Sequence, residues 1–139
     1  MVMSFEVSKR LKEAGYPQPE YAFGQHWYSD LDLHLISLRR DGAFIAESSD
    51  SYSVGKSNFR GVVKEEIVYY APPVEELLKR PFFNVANVGF DMELWLWRVK
   101  VSEALGWKVY PGYVLSDILG TLLAEHLEKE NDAQTNKSN

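Results

Sequence analysis

The chain contains no cysteine, which excludes disulfides, thiolate nucleophiles and zinc or iron sites built on thiolates. No run of lysine or arginine forms a basic stripe, and 20 acidic residues against 15 basic ones leave a net charge of −5. A field of that sign repels polyanions, so general DNA or RNA binding is not expected. No apolar run approaches the roughly 20 residues of a membrane span. The opening "MVMSFEVSKRLKEAG" reaches charge at Glu6, without the apolar segment of a signal peptide. No membrane partner and a cytoplasmic location are the resulting expectations.

A complete phosphate-binding loop is missing as well. Gly55-Lys56-Ser57 matches the end of G-x-x-x-x-G-K-[ST], but Asp50 occupies the position of the first glycine. A carboxylate there adds negative charge where polyphosphate must be neutralised, and the following "NFRGVV" suits a strand instead of the required helix. Residues 49–61 are expected to be a polar loop running into that strand, and Lys56 and Arg60 are its cations.

What the sequence does have is the make-up of a folded domain. Its 139 residues, 45% hydrophobic and 25% charged, are enough to bury roughly two-thirds of the unfolded surface around one core. A single α+β domain is expected over 1–130, with 131–139, which carry almost no apolar side chain, as a disordered tail. Ser4 is placed to cap a helix ending near Ala14, with Gly15 as its stop. Asp41-Gly42 joins two strands within "DLHLISLRRDGAFIAES". "VVKEEIVYYA" suits a further strand, Pro72-Pro73 then starts a short helix, and Pro81 closes it. "FDMELWLWRVKVS" alternates as a strand, with Trp95, Trp97 and Val99 on one face and Met92, Leu94 and Leu96 on the other. Bulk on both faces suggests a central strand covered on both sides. "GWKVYPGY" adds a short strand or turn. Ser116 is the expected cap of a final helix bearing Ile118, Leu119, Leu122, Leu123 and His126 on one stripe. The architecture expected is a mostly antiparallel sheet of about five strands packed with two or three helices.

"VSKRLKEAGYPQPEYAFGQHWY" and "YYAPPVEELLKR", followed by a leucine-rich helix near the C-terminus, resemble a group of small bacteriophage- and prophage-encoded proteins of no assigned activity. The two matches cover roughly a quarter of the chain, and capping and turn chemistry explains their residues. The resemblance implies a bacterial host cytoplasm and carries no catalytic residue, cofactor or metal.

Nor do the residues themselves assemble a catalytic set. Asp30, Asp32 and His34 share one face of a strand, but three ligands from one element are more simply a solvated strand end. Glu65-Glu66 would point to opposite faces of a strand, and Glu75-Glu76 complement a helix N-terminus. His126 suits a core edge with a hydrogen-bond partner. The aromatic residues, 14% of the chain, are the remaining feature. Trp95 and Trp97, with Trp27, Tyr28, Trp107, Tyr110 and Tyr113, belong either to the core or to a stacking surface, and the core reading is the simpler.

Two functions follow as expectations. The first is a non-enzymatic interaction, adaptor or inhibitor module with a protein partner, which a homodimer would also satisfy. The second is a small-molecule binder that stacks a nucleotide base on Trp95 and Trp97 and holds phosphate with Lys56, Arg60 or Arg98.

Overall fold

The computed structural model describes residues 2–29, 35–49, 57–61, 64–83, 86–103 and 106–137. The fold is α+β, as expected, and the described residues form three α-helices and two wholly antiparallel sheets. The chain divides into two compact units, Pro17–Ala71 and Met1–Tyr16 with Pro72–Asn139, a subdivision that the expectation of one domain over 1–130 does not contain.

The Pro17–Ala71 unit is a five-stranded sheet. Its strands are β1 (His26–Tyr28), β2 (Leu35–Leu38), β3 (Phe44–Ser49), β4 (Ser57–Gly61) and β5 (Tyr69–Ala71), in the order β4-β3-β2-β1-β5. The Asp41-Gly42 turn forms as expected. Gly42 adopts φ 86°, its N–H donates to the Arg39 carbonyl at 3.1 Å, and the Asp41 carboxylate accepts from Ala43 N–H at 3.0 Å. Only glycine and a few small polar residues take that φ cheaply, so the turn fixes the register Leu38↔Phe44. Trp27, almost fully buried, packs between Tyr21 and Tyr70 at ring distances of 4.9 and 5.2 Å.

One strand expectation is corrected here. "VVKEEIVYYA" is not one continuous strand, because Lys64–Glu66 form a 3₁₀ turn and, of its described residues, only Tyr69–Ala71 are strand. Consecutive charges at Lys64, Glu65 and Glu66 break the alternation that a half-buried strand needs. Glu65 and Glu66 are therefore not strand neighbours, and the argument that they point to opposite faces falls away.

In the other unit, α1 (Phe5–Glu13) begins at Ser4, whose Oγ accepts from Val7 N–H at 3.4 Å. It ends in a Schellman arrangement: Gly15, at φ 100°, donates to the Lys12 carbonyl, and Tyr16 N–H donates to that of Leu11. The short α2 (Val74–Leu78) follows Pro73, and a 3₁₀ turn at Pro81–Phe83 closes it. Then come β6 (Asn87–Asp91), β7 (Leu96–Glu103) and β8 (Gly106–Gly112), forming the sheet β6-β7-β8, and finally α3 (Leu115–Lys137).

Leu119, Leu122, Leu123 and Ala124 of α3 are buried together with Leu11 of α1 and Val99 and Val101 of β7. The α1–α3 crossing centres on Gly120, where an added Cβ would lie 2.6 Å from both Met3 Cε and Val7 Cγ1. The intrinsic weakness of a helical glycine is thus offset by close approach of the two helices. A fork of two hydrogen bonds, Arg10 Nε to Glu128 Oε1 at 2.7 Å and Nη2 to Oε2 at 3.0 Å, ties the same helices along their exposed side. The guanidinium holds the Glu128 carboxyl below the usual carboxylate range.

One expectation about α3 is also corrected. The helix begins at Leu115, so Ser116 lies inside it and does not cap it. Its buried Oγ has no hydrogen-bond partner among the described residues. At the other end α3 continues through Lys137, into the segment expected to be a disordered tail, and Asn131 Nδ2 donates to the Ala14 carbonyl at 3.0 Å. His126 fits the core-edge expectation: it stacks on Phe82 at 4.5 Å and its Nε2 meets Glu130 Oε1 at 3.1 Å.

Candidate functional site

The hairpin of β6 and β7 departs furthest from what the sequence suggests. Residues 92–95 form a four-residue turn, closed by the pair Asp91↔Leu96. The alternation from Met92 to Leu96 therefore does not belong to a strand, and Trp95 and Trp97 do not share a strand face. The turn carries no glycine, asparagine or proline, so nothing in its residue types announces it. Asp91 supplies the missing turn chemistry instead. Its Oδ1 accepts from Glu93 N–H at 2.9 Å and Leu94 N–H at 3.0 Å, and its Oδ2 pairs with Arg98 Nη2 at 3.0 Å. These bonds, the one to Leu94 N–H foremost, pull the Asp91 carboxyl below its ordinary range.

Trp95 takes the last turn position with φ 53°, the one non-glycine residue with positive φ among those described. A bulky L-residue in that region costs roughly 1–2 kcal/mol, and the sequence spends that cost on a ring that is 70% exposed. The expectation that Trp95 is core is thereby overturned. Met92, also 70% exposed, Leu94 at 56% and Phe90 at 38% surround it. The Phe90 ring lies edge-on to both tryptophans, 5.9 Å from Trp95 and 5.1 Å from Trp97. Phe90 thus brings the two rings together.

Strand register explains how this surface connects to the core. Val99, Trp97 and, across the ladder, Phe90 and Val88 lie on one face of the sheet. Val99 is fully buried, whereas Trp97 is half-buried and Phe90 exposed, so the apolar face runs out from under the core towards the turn. The other face carries Arg98 and Lys100, both exposed, so cover on both sides is also corrected. Gly112 pairs with Trp97, and a Cβ on it would sit 2.7 Å from Ile118 Cγ1. Beyond this contact Tyr113, Val114, Ile118, Thr121 and Leu122 line a groove of about 410 Å³.

Of the remaining candidates, few have side chains that the structure describes. Lys56 lies outside the described residues, as do Asp30, Asp32 and His34. Arg60 is a β4 residue opposite Ala46, in the Pro17–Ala71 unit, and only its backbone is described. Trp107 and Tyr110 fall in β8 with backbone alone described. Ser57 starts a strand, which agrees with the expectation that no helix follows Gly55-Lys56-Ser57. Arg98 already has a carboxylate partner. Among the described residues no group of three His, Asp or Glu side chains is arranged to hold a metal ion, and no helix is long and apolar enough to cross a membrane.

Sequence reasoning missed β6, Phe90 and the role of Asp91. The signal was present in "NVGFD", where Val88 and Phe90 alternate with Asn87, Gly89 and Asp91. It was obscured because the longer alternation beginning at Phe90 absorbed it.

No family model matches the chain, and comparison with curated proteins and with solved structures finds no match either.

Proposed function

We propose that this chain is a non-enzymatic protein-interaction module, of the kind a phage-encoded adaptor or inhibitor would be, and that the tip of the β6–β7 hairpin is its contact surface. One observation carries the proposal: Trp95 is held outward in a disfavoured backbone conformation at the centre of an exposed apolar cluster. Folding alone gives no reason to place Met92, Leu94 and Trp95 in water. Exposed apolar groups gathered this closely mark contact sites, and tryptophan is the residue most enriched where binding energy concentrates. The groove beside Gly112 extends the same surface.

A photo-reactive phenylalanine analogue at position 94, in the cells that make the protein, tests this proposal. It should give a discrete adduct that is lost when Trp95 is replaced by aspartate. Glu13, exposed on α1, is the control position. Cross-linking at 94 that is no different from cross-linking at 13 would remove the support for the hairpin as a contact surface.

A further inference from the structure

The outer edge of β6 has the makings of a partner site for a second copy of itself. Among the described residues β6 pairs with β7 alone and ends its sheet. An end strand presents unpaired N–H and C=O groups, and proteins ordinarily guard such edges with proline, lysine, a bulge or a covering segment. The sequence of β6, Asn87-Val88-Gly89-Phe90-Asp91, has neither proline nor lysine. Asn87, Gly89 and Phe90 are exposed, and each of the five residues is paired one to one with β7, without a bulge.

The strand is also complementary to its own reverse. If two copies lie antiparallel about an axis through Gly89, Asn87 faces Asp91 of the second copy and Val88 faces its Phe90. The two Gly89 residues then face each other. The apolar pair falls on the face that already carries Trp97, which joins the two aromatic clusters into one patch. The polar pair falls on the opposite face, where the Asn87 amide can donate to a carboxylate. A groove of about 280 Å³ beside this pair is lined by Asn87, Gly89, Phe90, Asp91, Arg98 and Lys100, so cations and an anion lie within the same surface. Gly89 leaves the centre open: a Cβ built on it meets nothing within 4 Å.

We infer that the chain forms a two-fold homodimer in which the β6 edges of two copies pair antiparallel about Gly89, making one continuous six-stranded sheet. This inference rests on the reading of the hairpin as an interaction surface and names its partner as a second copy of the same chain.

The test is the solution mass of the full chain by light scattering across a wide concentration range, for the wild type, Gly89→Lys, Gly89→Glu and an equimolar mixture of the two variants. The wild type should show twice the chain mass. Either variant places like charges directly opposite across the axis and should weaken dimerisation roughly tenfold or more, and the mixture should restore it. Arg98 is the β7 partner of Gly89, so the glutamate variant is the better tolerated within one copy, and circular dichroism of each variant confirms that it is folded. A wild type that stays monomeric overturns the inference. So does a dimer indifferent to both charges, or a mixture that does not recover. If these fail while position 94 still gives a discrete adduct, the hairpin serves a different partner and only the self-pairing is lost.

Discussion

At the scale of single residues, side-chain hydroxyls and glycines show where local rules hold and where packing overrides them. Ser4 does what capping chemistry requires, while Ser116, an equally plausible cap by sequence, is buried one residue inside α3 with an unpartnered hydroxyl. Ser116→Ala should therefore leave stability unchanged or raise it by up to about 1 kcal/mol, since no hydrogen bond is lost and a desolvated oxygen is removed. A fall of about 1 kcal/mol in chemical denaturation, the usual penalty for losing a cap, would show that the hydroxyl is bonded. Gly120→Ala runs the other way. Helix propensity alone predicts a gain of about 1 kcal/mol, but the added Cβ would lie 2.6 Å from Met3 Cε and Val7 Cγ1, which predicts a net loss, read as a lower melting temperature. An increase would mean that the crossing of α1 and α3 relaxes easily. Neither outcome could be read from sequence, because both depend on which element lies across the helix.

Among whole elements, legibility followed punctuation. The turn at Asp41-Gly42 was visible because its residue types demand a turn, and α1 was visible from its cap and its terminal Gly15. The turn at 92–95 was not, because its chemistry sits outside it, on Asp91, and its own residues alternate as a strand would. The same logic gives two predictions. Asp91→Ala removes both turn acceptors and the partner of Arg98, so amide exchange at residues 92–95 should quicken while the α3 core stays protected. Unchanged exchange would mean that the turn holds its shape without the carboxylate. The C-terminal segment reads as a tail because it carries almost no apolar side chain, yet Asn131 ties α3 to the end of α1. Deleting residues 131–139 should accordingly lower stability by about 1 kcal/mol, the worth of one such hydrogen bond. An unaltered denaturation midpoint would restore the disordered tail.

For the molecule as a whole, the order of expected strands and helices identifies the α+β class, but the aromatic residues are legible only as a total. Trp27 went into the sheet cluster of its unit and Trp95 to the surface. The difference lies in strand register and turn position, which a count of rings does not contain. Charge contributes a pH dependence. Burial pushes His26 below its ordinary value of 6.5, so the folded chain favours the neutral ring. That contribution to stability is complete above 6.5 and is lost as the pH falls from there through the lower folded value, because the unfolded chain takes up the proton first. His26→Gln should flatten this part of the profile in denaturation at a series of pH values, and an unchanged slope would assign it to other groups.

Trp95, held outward at the hairpin tip, serves contact and not the fold. Thermal denaturation of Trp95→Gly tests this most directly, because glycine accepts φ 53° without strain while removing the ring. The melting temperature should equal or exceed that of the wild type, since relief of roughly 1–2 kcal/mol of backbone strain offsets the edge-on contact with Phe90. A drop equivalent to the roughly 3–5 kcal/mol of an emptied core site would contradict it and return Trp95 to the core.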